Sequence, residues 1–358
     1  MLGKGFMALV MFACPVMTGT SFAQSAGDSA RIESRIFESL PTHVTERRKL
    51  KKSTILDAVK NSNTIGTAHP FLLILENRKW KRGRTLTVAF LGGDPTLHAN
   101  ITRVASEWSN HADIKFDFGL DSVTGKYRSW SLKDLNYRSD IRISFKDPEG
   151  GYWSAVGTES RDPAIVKPGE ASMNLEGFDK GAPPDWEGIV RHEFGHALGL
   201  EHEHQHPIGG CDAEWRWDDD PGYVPTKNEN GTYQADKKGR YPGLYRVLGG
   251  PPNKWKKAKV DSNLKQFTVS SAYSFGLFDA QSIMKYWFPA WMFKKGVHSK
   301  CYSAETNETF SNEDIKRIAI FYSTNPQEQI DQITALQSKL TNSKVLRNLL
   351  QSKKIDLQ

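Results

Sequence analysis

The chain has 358 residues, of which 38% are hydrophobic, with 48 Lys and Arg against 41 Asp and Glu and a formal net charge of +7. This length and composition allow a sizeable buried core and exclude a disordered or low-complexity chain. The basic residues are scattered and lack the stripe of bases and interleaved aromatics that nucleic-acid binding requires, so no nucleic-acid partner is expected.

Residues 1–23 read as a secretory signal peptide. Lys4 is the only charge, Phe6 to Val16 is largely apolar, and Ser21-Phe22-Ala23 places small residues where a signal peptidase inspects them. The apolar run is shorter than the roughly 20 residues a spanning helix needs, and Cys14 follows a poor lipidation box, so no stable membrane anchor is expected. The mature protein is therefore read as secreted, extracellular or periplasmic. Export to an oxidising compartment favours a disulfide between Cys211 and Cys301, the two cysteines beyond the signal.

Residues 24–77 read as an N-terminal extension or prosegment, with a basic run from Glu46 to Lys52 and an apolar segment from Phe71 to Leu75. The basic run is expected to lie outside the catalytic region. A folded domain is expected over residues 78–325. Thr85 to Phe90, Ile114 to Phe118 and Ile141 to Phe145 alternate as strands, followed by strand-like Tyr152 to Val156 and Ala171 to Leu175. Ile101 to Ser109 has helical spacing with Trp108 on its apolar side. Asp185 is the expected N-cap of a further helix whose buried face is Ile189, Val190, Phe194, Ala197 and Leu198. Beyond Pro207 the chain reads as irregular to about residue 265, a functional or locally disordered loop. Ser311 opens a helix through Tyr322, with Asp314 completing a capping-box-like start. Residues 326–358 read as a C-terminal helical tail, its Ile330, Ile333, Leu336 and Leu340 ridge packed on the domain.

The chemistry is concentrated in His192-Glu193-Phe194-Gly195-His196-Ala197-Leu198-Gly199-Leu200-Glu201-His202. On a helix, His192 and His196 share one face with Cβ atoms about 5–6 Å apart, so two ring nitrogens can grip one ion. Glu193 lies one residue round, in the general-base position of this arrangement. Gly199 can take a left-handed conformation that ends the helix and returns His202 as a third ligand. Three histidines leave a coordination position open, as in catalytic zinc sites. One catalytic Zn2+ is expected. His204 and His206 read as solvated loop residues.

Extended by Gly199 and the third histidine, this run resembles the metzincin zinc endopeptidases, and His202-Glu203-His204 is most similar to their astacin-like branch. Ser282-Ile283-Met284-Lys285-Tyr286 resembles that branch's methionine turn, Gly151 to Gly157 its strand before the zinc helix, and Ser311 to Tyr322 its terminal helix. Lys285 departs from the usual His, and Tyr152 from a usual cysteine. The resemblance covers about residues 78–325. It implies an α+β fold, with a mixed sheet and an active-site helix above an irregular C-terminal subdomain. It also implies hydrolysis of peptide bonds in protein or peptide substrates, with Glu193 as general base and Tyr286 assisting catalysis. The inhibitory FxGD run of that branch is nearly spelled by Phe90 to Asp94, read here as coincidence because it follows the first strand of the domain. No inhibitory Asp or Cys is evident upstream. A matrixin- or serralysin-like peptidase, a zinc hydrolase of another bond, and a non-catalytic zinc-containing binding module remain alternatives.

Overall fold

The computed structural model describes residues 38–60, 78–267 and 277–323, with scattered positions between 325 and 351. The signal segment, Phe71 to Leu75, and Ile333, Leu336 and Leu340 of the tail lie outside the described residues.

Helix α1 (Thr42–Lys60) precedes the domain. The expected strands form one mixed sheet from β1 (Thr85–Leu91), β2 (Lys115–Asp117), β3 (Ile141–Ser144), β4 (Tyr152–Ser154) and β5 (Met173–Leu175), in the order β2-β1-β3-β5-β4. Four strands run parallel, and β4 alone is antiparallel, pairing Trp153 with Asn174 at one edge of the sheet. The fold class is α+β.

Helix α2 (Pro95–Ser106) begins six residues before Ile101. The earlier start is explained by Asp94, whose side chain accepts from the Leu97 N–H at 2.8 Å, with Pro95 preset for the first turn. The Phe90 to Asp94 run is thus the end of β1 and the cap of α2. Trp108 lies beyond α2 in a 3₁₀ turn, fully buried.

Helix α3 (Trp186–Ala197) packs across the sheet, its Val190, Phe194 and Ala197 joining Leu86, Val88, Phe90, Ile141 and Ile143 in the main core. Asp185 occupies the N-cap position, but its side chain makes no capping hydrogen bond. From its middle to its C-terminal end α3 is held by side chains from other segments. Trp108 Nε1 donates to the Arg191 carbonyl at 2.9 Å, Trp80 Nε1 to Ala197 at 2.8 Å and the Tyr322 hydroxyl to Leu198 at 2.7 Å. The last two satisfy carbonyls that a helix end leaves without intrahelical partners.

The region after Pro207 is more ordered than its composition suggests. It contains α4 (Cys211–Glu214), a two-stranded β6 (Thr226–Lys227) and β7 (Tyr233–Gln234) ribbon, α5 (Leu244–Gly249) and α6 (Lys257–Leu264). Its aromatic residues form a second core in which Trp215 stacks on Phe293 at 4.5 Å and meets Phe288 edge-on. Sparse apolar residues at irregular spacing carry no periodic signal, yet large rings from distant segments bury enough surface together. Cys211 and Cys301 are disulfide-bonded in this core, with Cα atoms 5.8 Å apart. Helix α7 (Asn312–Tyr322) closes the domain, its capping box formed by Ser311 and Asp314 as expected.

The disulfide closes a separation of 90 residues, for which chain entropy gives about 4–5 kcal/mol. The paired Cys211→Ser and Cys301→Ser substitutions are expected to remove at least about 2 kcal/mol, half that value, in urea unfolding. An unchanged midpoint with an unchanged slope would show that the second core stands without the crosslink.

Candidate metal centre

His192 and His196 project from one face of α3, and His202 returns toward them after Gly199, whose φ of +101° favours glycine. The Nε2 atoms of His192 and His196 are 3.1 Å apart, and those of His196 and His202 are 3.0 Å apart. The opposite ring nitrogens face acceptors: Nδ1 of His192 lies 2.6 Å from the Ile283 carbonyl, that of His196 2.7 Å from Leu200, and that of His202 3.3 Å from Gln205 Oε1. Carbonyl oxygens cannot donate, so each Nδ1 carries the proton and three Nε2 lone pairs point at one another. Such an arrangement is repulsive without a cation between the rings. The donor set fits a zinc site.

Glu193 is buried beside them, and its Oε2 has no hydrogen-bond partner among the described residues. Burial first, and then repulsion from Glu38, push its carboxyl well above the usual range. The centre also contains a residue that sequence reasoning missed. Glu38, four residues before α1, places Oε2 2.7 Å from His192 Nε2, and Oε1 3.0 and 3.1 Å from the Nε2 atoms of His196 and His202. Burial opposes its charge, but positive charge at this point, carried by the rings themselves or by a cation held between them, outweighs this and holds the Glu38 carboxyl well below its ordinary value. Its surroundings, Phe37-Glu38-Ser39, match no inhibitory motif, so only the three-dimensional contact reveals it.

The Tyr286 hydroxyl donates to the backbone carbonyl of Glu38 at 3.0 Å, and its ring stacks beside His192 and His202. The turn carrying it is fixed by Asp314, which accepts from the Ser282 hydroxyl at 2.5 Å and the Ile283 N–H at 2.7 Å while also capping α7. Met284 is buried against Gly195 of α3. A Cβ at Gly195 would fall 2.4 Å from the Met284 sulfur, so any larger residue here requires the Met284 side chain to shift. Glu203 ties the His202 loop to α7 through an ion pair with Arg317, and accepts from the Asp279 N–H at 2.7 Å. Lys285 is buried and donates to Ser303 Oγ at 2.8 Å, with burial lowering its pKa to about 7.

His204 and His206 are buried, not solvated. The 3₁₀ turn Glu203–Gln205 tucks His204 against Tyr286 and Phe288, where its Nε2 lies 2.7 Å from the Asn263 carbonyl. Burial, then Arg317, lowers the His206 pKa to about 3. The basic run is also placed differently from expectation, because α1 lies directly against the domain beside the centre.

No protein-family model matches this chain, and no curated protein matches it. Among solved structures, the chain is similar to myroilysin at 27% identity, with a TM-score of 0.49, covering 70% of this chain and 98% of that one. A crystal structure of myroilysin matches at 27% identity and TM-score 0.43, covering 69% and 86% respectively. High choriolytic enzyme 1, a hatching enzyme zinc-protease from the medaka fish Oryzias latipes, is similar at 16% identity and TM-score 0.41, covering 70% of this chain and 96% of its own.

His206 yields a pH prediction whose sign follows from its neutral burial. With a folded pKa of about 3 and an unfolded value of about 6.5, its contribution is complete above pH 6.5 and is lost as pH falls toward 3. Stability in urea unfolding should therefore fall over this window, by up to about 1.4 kcal/mol per pH unit from this residue. His206→Gln should flatten the profile, and an identical profile in that variant would remove His206 as its source.

Proposed function

We propose that the chain is a secreted zinc-dependent endopeptidase, with His192, His196 and His202 as metal ligands, Glu193 as general base and Tyr286 as a catalytic hydrogen-bond donor. The observation that carries this reading is the convergence of three Nε2 atoms beside a buried Glu193 oxygen that lacks a partner among the described residues. Bound zinc supplies a Lewis acid that polarises a carbonyl and lowers the pKa of water to about 7. Glu193 accepts the proton of the attacking water and later delivers it to the leaving amine. The Tyr286 hydroxyl, freed from the Glu38 carbonyl, donates to the scissile carbonyl oxygen as negative charge develops. An extended substrate adds to the sheet along the edge strand β4.

Residues 24–77 act as a prosegment in this reading. Support comes from Glu38, whose carboxylate takes the position beside the three histidines that a substrate needs, and whose carbonyl engages Tyr286. Glu38 also favours a second reading, because a fourth protein ligand closes a structural zinc site. Removing one carboxylate at a time separates the two readings.

Glu193→Ala is expected to keep one zinc per chain by elemental analysis while casein turnover falls at least about a thousandfold. Full activity in the folded variant would refute the peptidase mechanism. Glu38→Ala in the full chain should raise turnover about tenfold to a hundredfold, since one charged contact is worth roughly 1.5–3 kcal/mol. Loss of zinc without any gain in activity would instead support the closed structural site.

A further inference from the structure

The surface beneath α1 is acidic, and the chain fills it with its own cations. Arg48 Nε lies 3.0 Å from Glu159, and its Nη2 lies 2.5 Å from Glu201; Arg47 pairs with Glu170 at 2.7 Å, and Lys51 pairs with Asp162. Glu159 and Glu201 have side chains only 4% and 9% exposed and are also shared with Arg78, at 2.7 and 2.9 Å. Two carboxylates are thus balanced by two guanidiniums, one from the domain and one from the N-terminal segment. When α1 leaves, Arg78 alone faces both carboxylates, and Asp162 loses its only ion-pair partner among the described residues. Three carboxylates facing one guanidinium leave a net negative surface, which favours a replacement cation from the ligand that takes the place of α1.

This surface meets the candidate metal centre at Glu201. A cleft of about 350 Å³ is lined by His196, His202, Glu201, Ser154 and Val156 of the domain, with Arg48 entering from α1. β4 runs from Tyr152, beside Glu193, toward Ser154 and this cleft. A peptide adding antiparallel to β4, the more stable pairing, therefore places the residues preceding its scissile bond along Val156 and Glu201, with Glu159 one guanidinium contact further on. Beside them, Leu40 and Val44 fill an apolar spot formed by Ala155, Ile165 and Val166.

We propose that Glu159, Asp162 and Glu201 form a subsite for basic side chains, selecting peptides with Lys or Arg on the N-terminal side of the scissile bond, and that Arg48 and Lys51 occupy it in the full chain. The proposal rests on the peptidase reading and adds a substrate class to it.

The test uses the full chain carrying Glu38→Ala, Arg47→Ala, Arg48→Ala and Lys51→Ala, which removes the charged side chains that the N-terminal segment places against the centre and the acidic surface and leaves every residue of the domain unchanged. It is assayed on three fluorogenic peptides that differ only in two residues before the cleaved bond: Lys-Arg, a norleucine pair, and Glu-Glu. Cleavage of the Lys-Arg peptide is expected to exceed that of the norleucine peptide about tenfold in kcat/KM, mostly through KM, with the advantage shrinking as salt is raised. Adding Glu159→Gln and Asp162→Asn should reduce the advantage to about twofold. Equal cleavage of all three peptides, or an advantage that survives these two changes, overturns the subsite. If no peptide is cut, the peptidase reading fails separately. Fluorescence anisotropy with labelled Lys-Arg and Glu-Glu peptides then decides the subsite, which is upheld by tighter basic-peptide binding and overturned by equal binding. Should circular dichroism show the fourfold variant unfolded, the Glu38→Ala, Arg48→Ala and Lys51→Ala triple variant runs the same comparison.

Discussion

The structure depends on one electrostatic constraint: three imidazoles must present their lone pairs to a single point inside a largely buried site. Nitrogen lone pairs 3.0 to 3.1 Å apart repel one another, so the arrangement persists only if the opposite ring nitrogens are anchored and a cation is favoured at the centre. The anchors come from different parts of the chain. Ile283 belongs to the methionine turn, Leu200 to the reversal after α3, and Gln205 to the loop beyond His202. The metal centre is therefore a junction at which separate segments must agree.

Several polar and aromatic side chains enforce that agreement. Trp80, Trp108 and Tyr322 hold α3 from its middle to its C-terminal end by hydrogen bonds to carbonyls. Asp314 joins the start of α7 to the turn carrying Met284 and Tyr286, and Glu203 joins the His202 loop to Arg317 of α7. Because Met284 packs directly on Gly195, the helix that carries His192 and His196 meets the Ser282 to Tyr286 segment at close range. Buried carboxylates with two or three partners each are stable where a half-satisfied group would be costly. These links also explain how an aromatic second core, crosslinked by Cys211 and Cys301, supports the wall containing Tyr286 and His204.

The N-terminal segment follows the same electrostatic logic at larger scale. Its Glu38 supplies negative charge where three histidines converge, and its Arg47, Arg48 and Lys51 supply positive charge where the domain is acidic. The segment is complementary to the domain at both ends of the cleft, and among the described side chains of α1 Val44 joins the apolar core.

The sequence by itself determined the local chemistry. The spacing of His192, Glu193, His196, Gly199 and His202 encodes a helix, its stop and the return of a third histidine, because helical periodicity and glycine's backbone freedom act over a few residues. Alternating strands and the Ser311 cap were legible for the same reason, as was the cysteine pair from compartment and count. The burial of His204 and His206, the order of the region after Pro207, the link from Asp314 to the methionine turn, and the contact of Glu38 were decided only by tertiary structure. Each depends on groups brought together from far along the chain: Glu38 and His192 are separated by 154 positions. No local pattern records whether a polar side chain will meet water or a distant partner, because that choice is made by the packing of the whole domain.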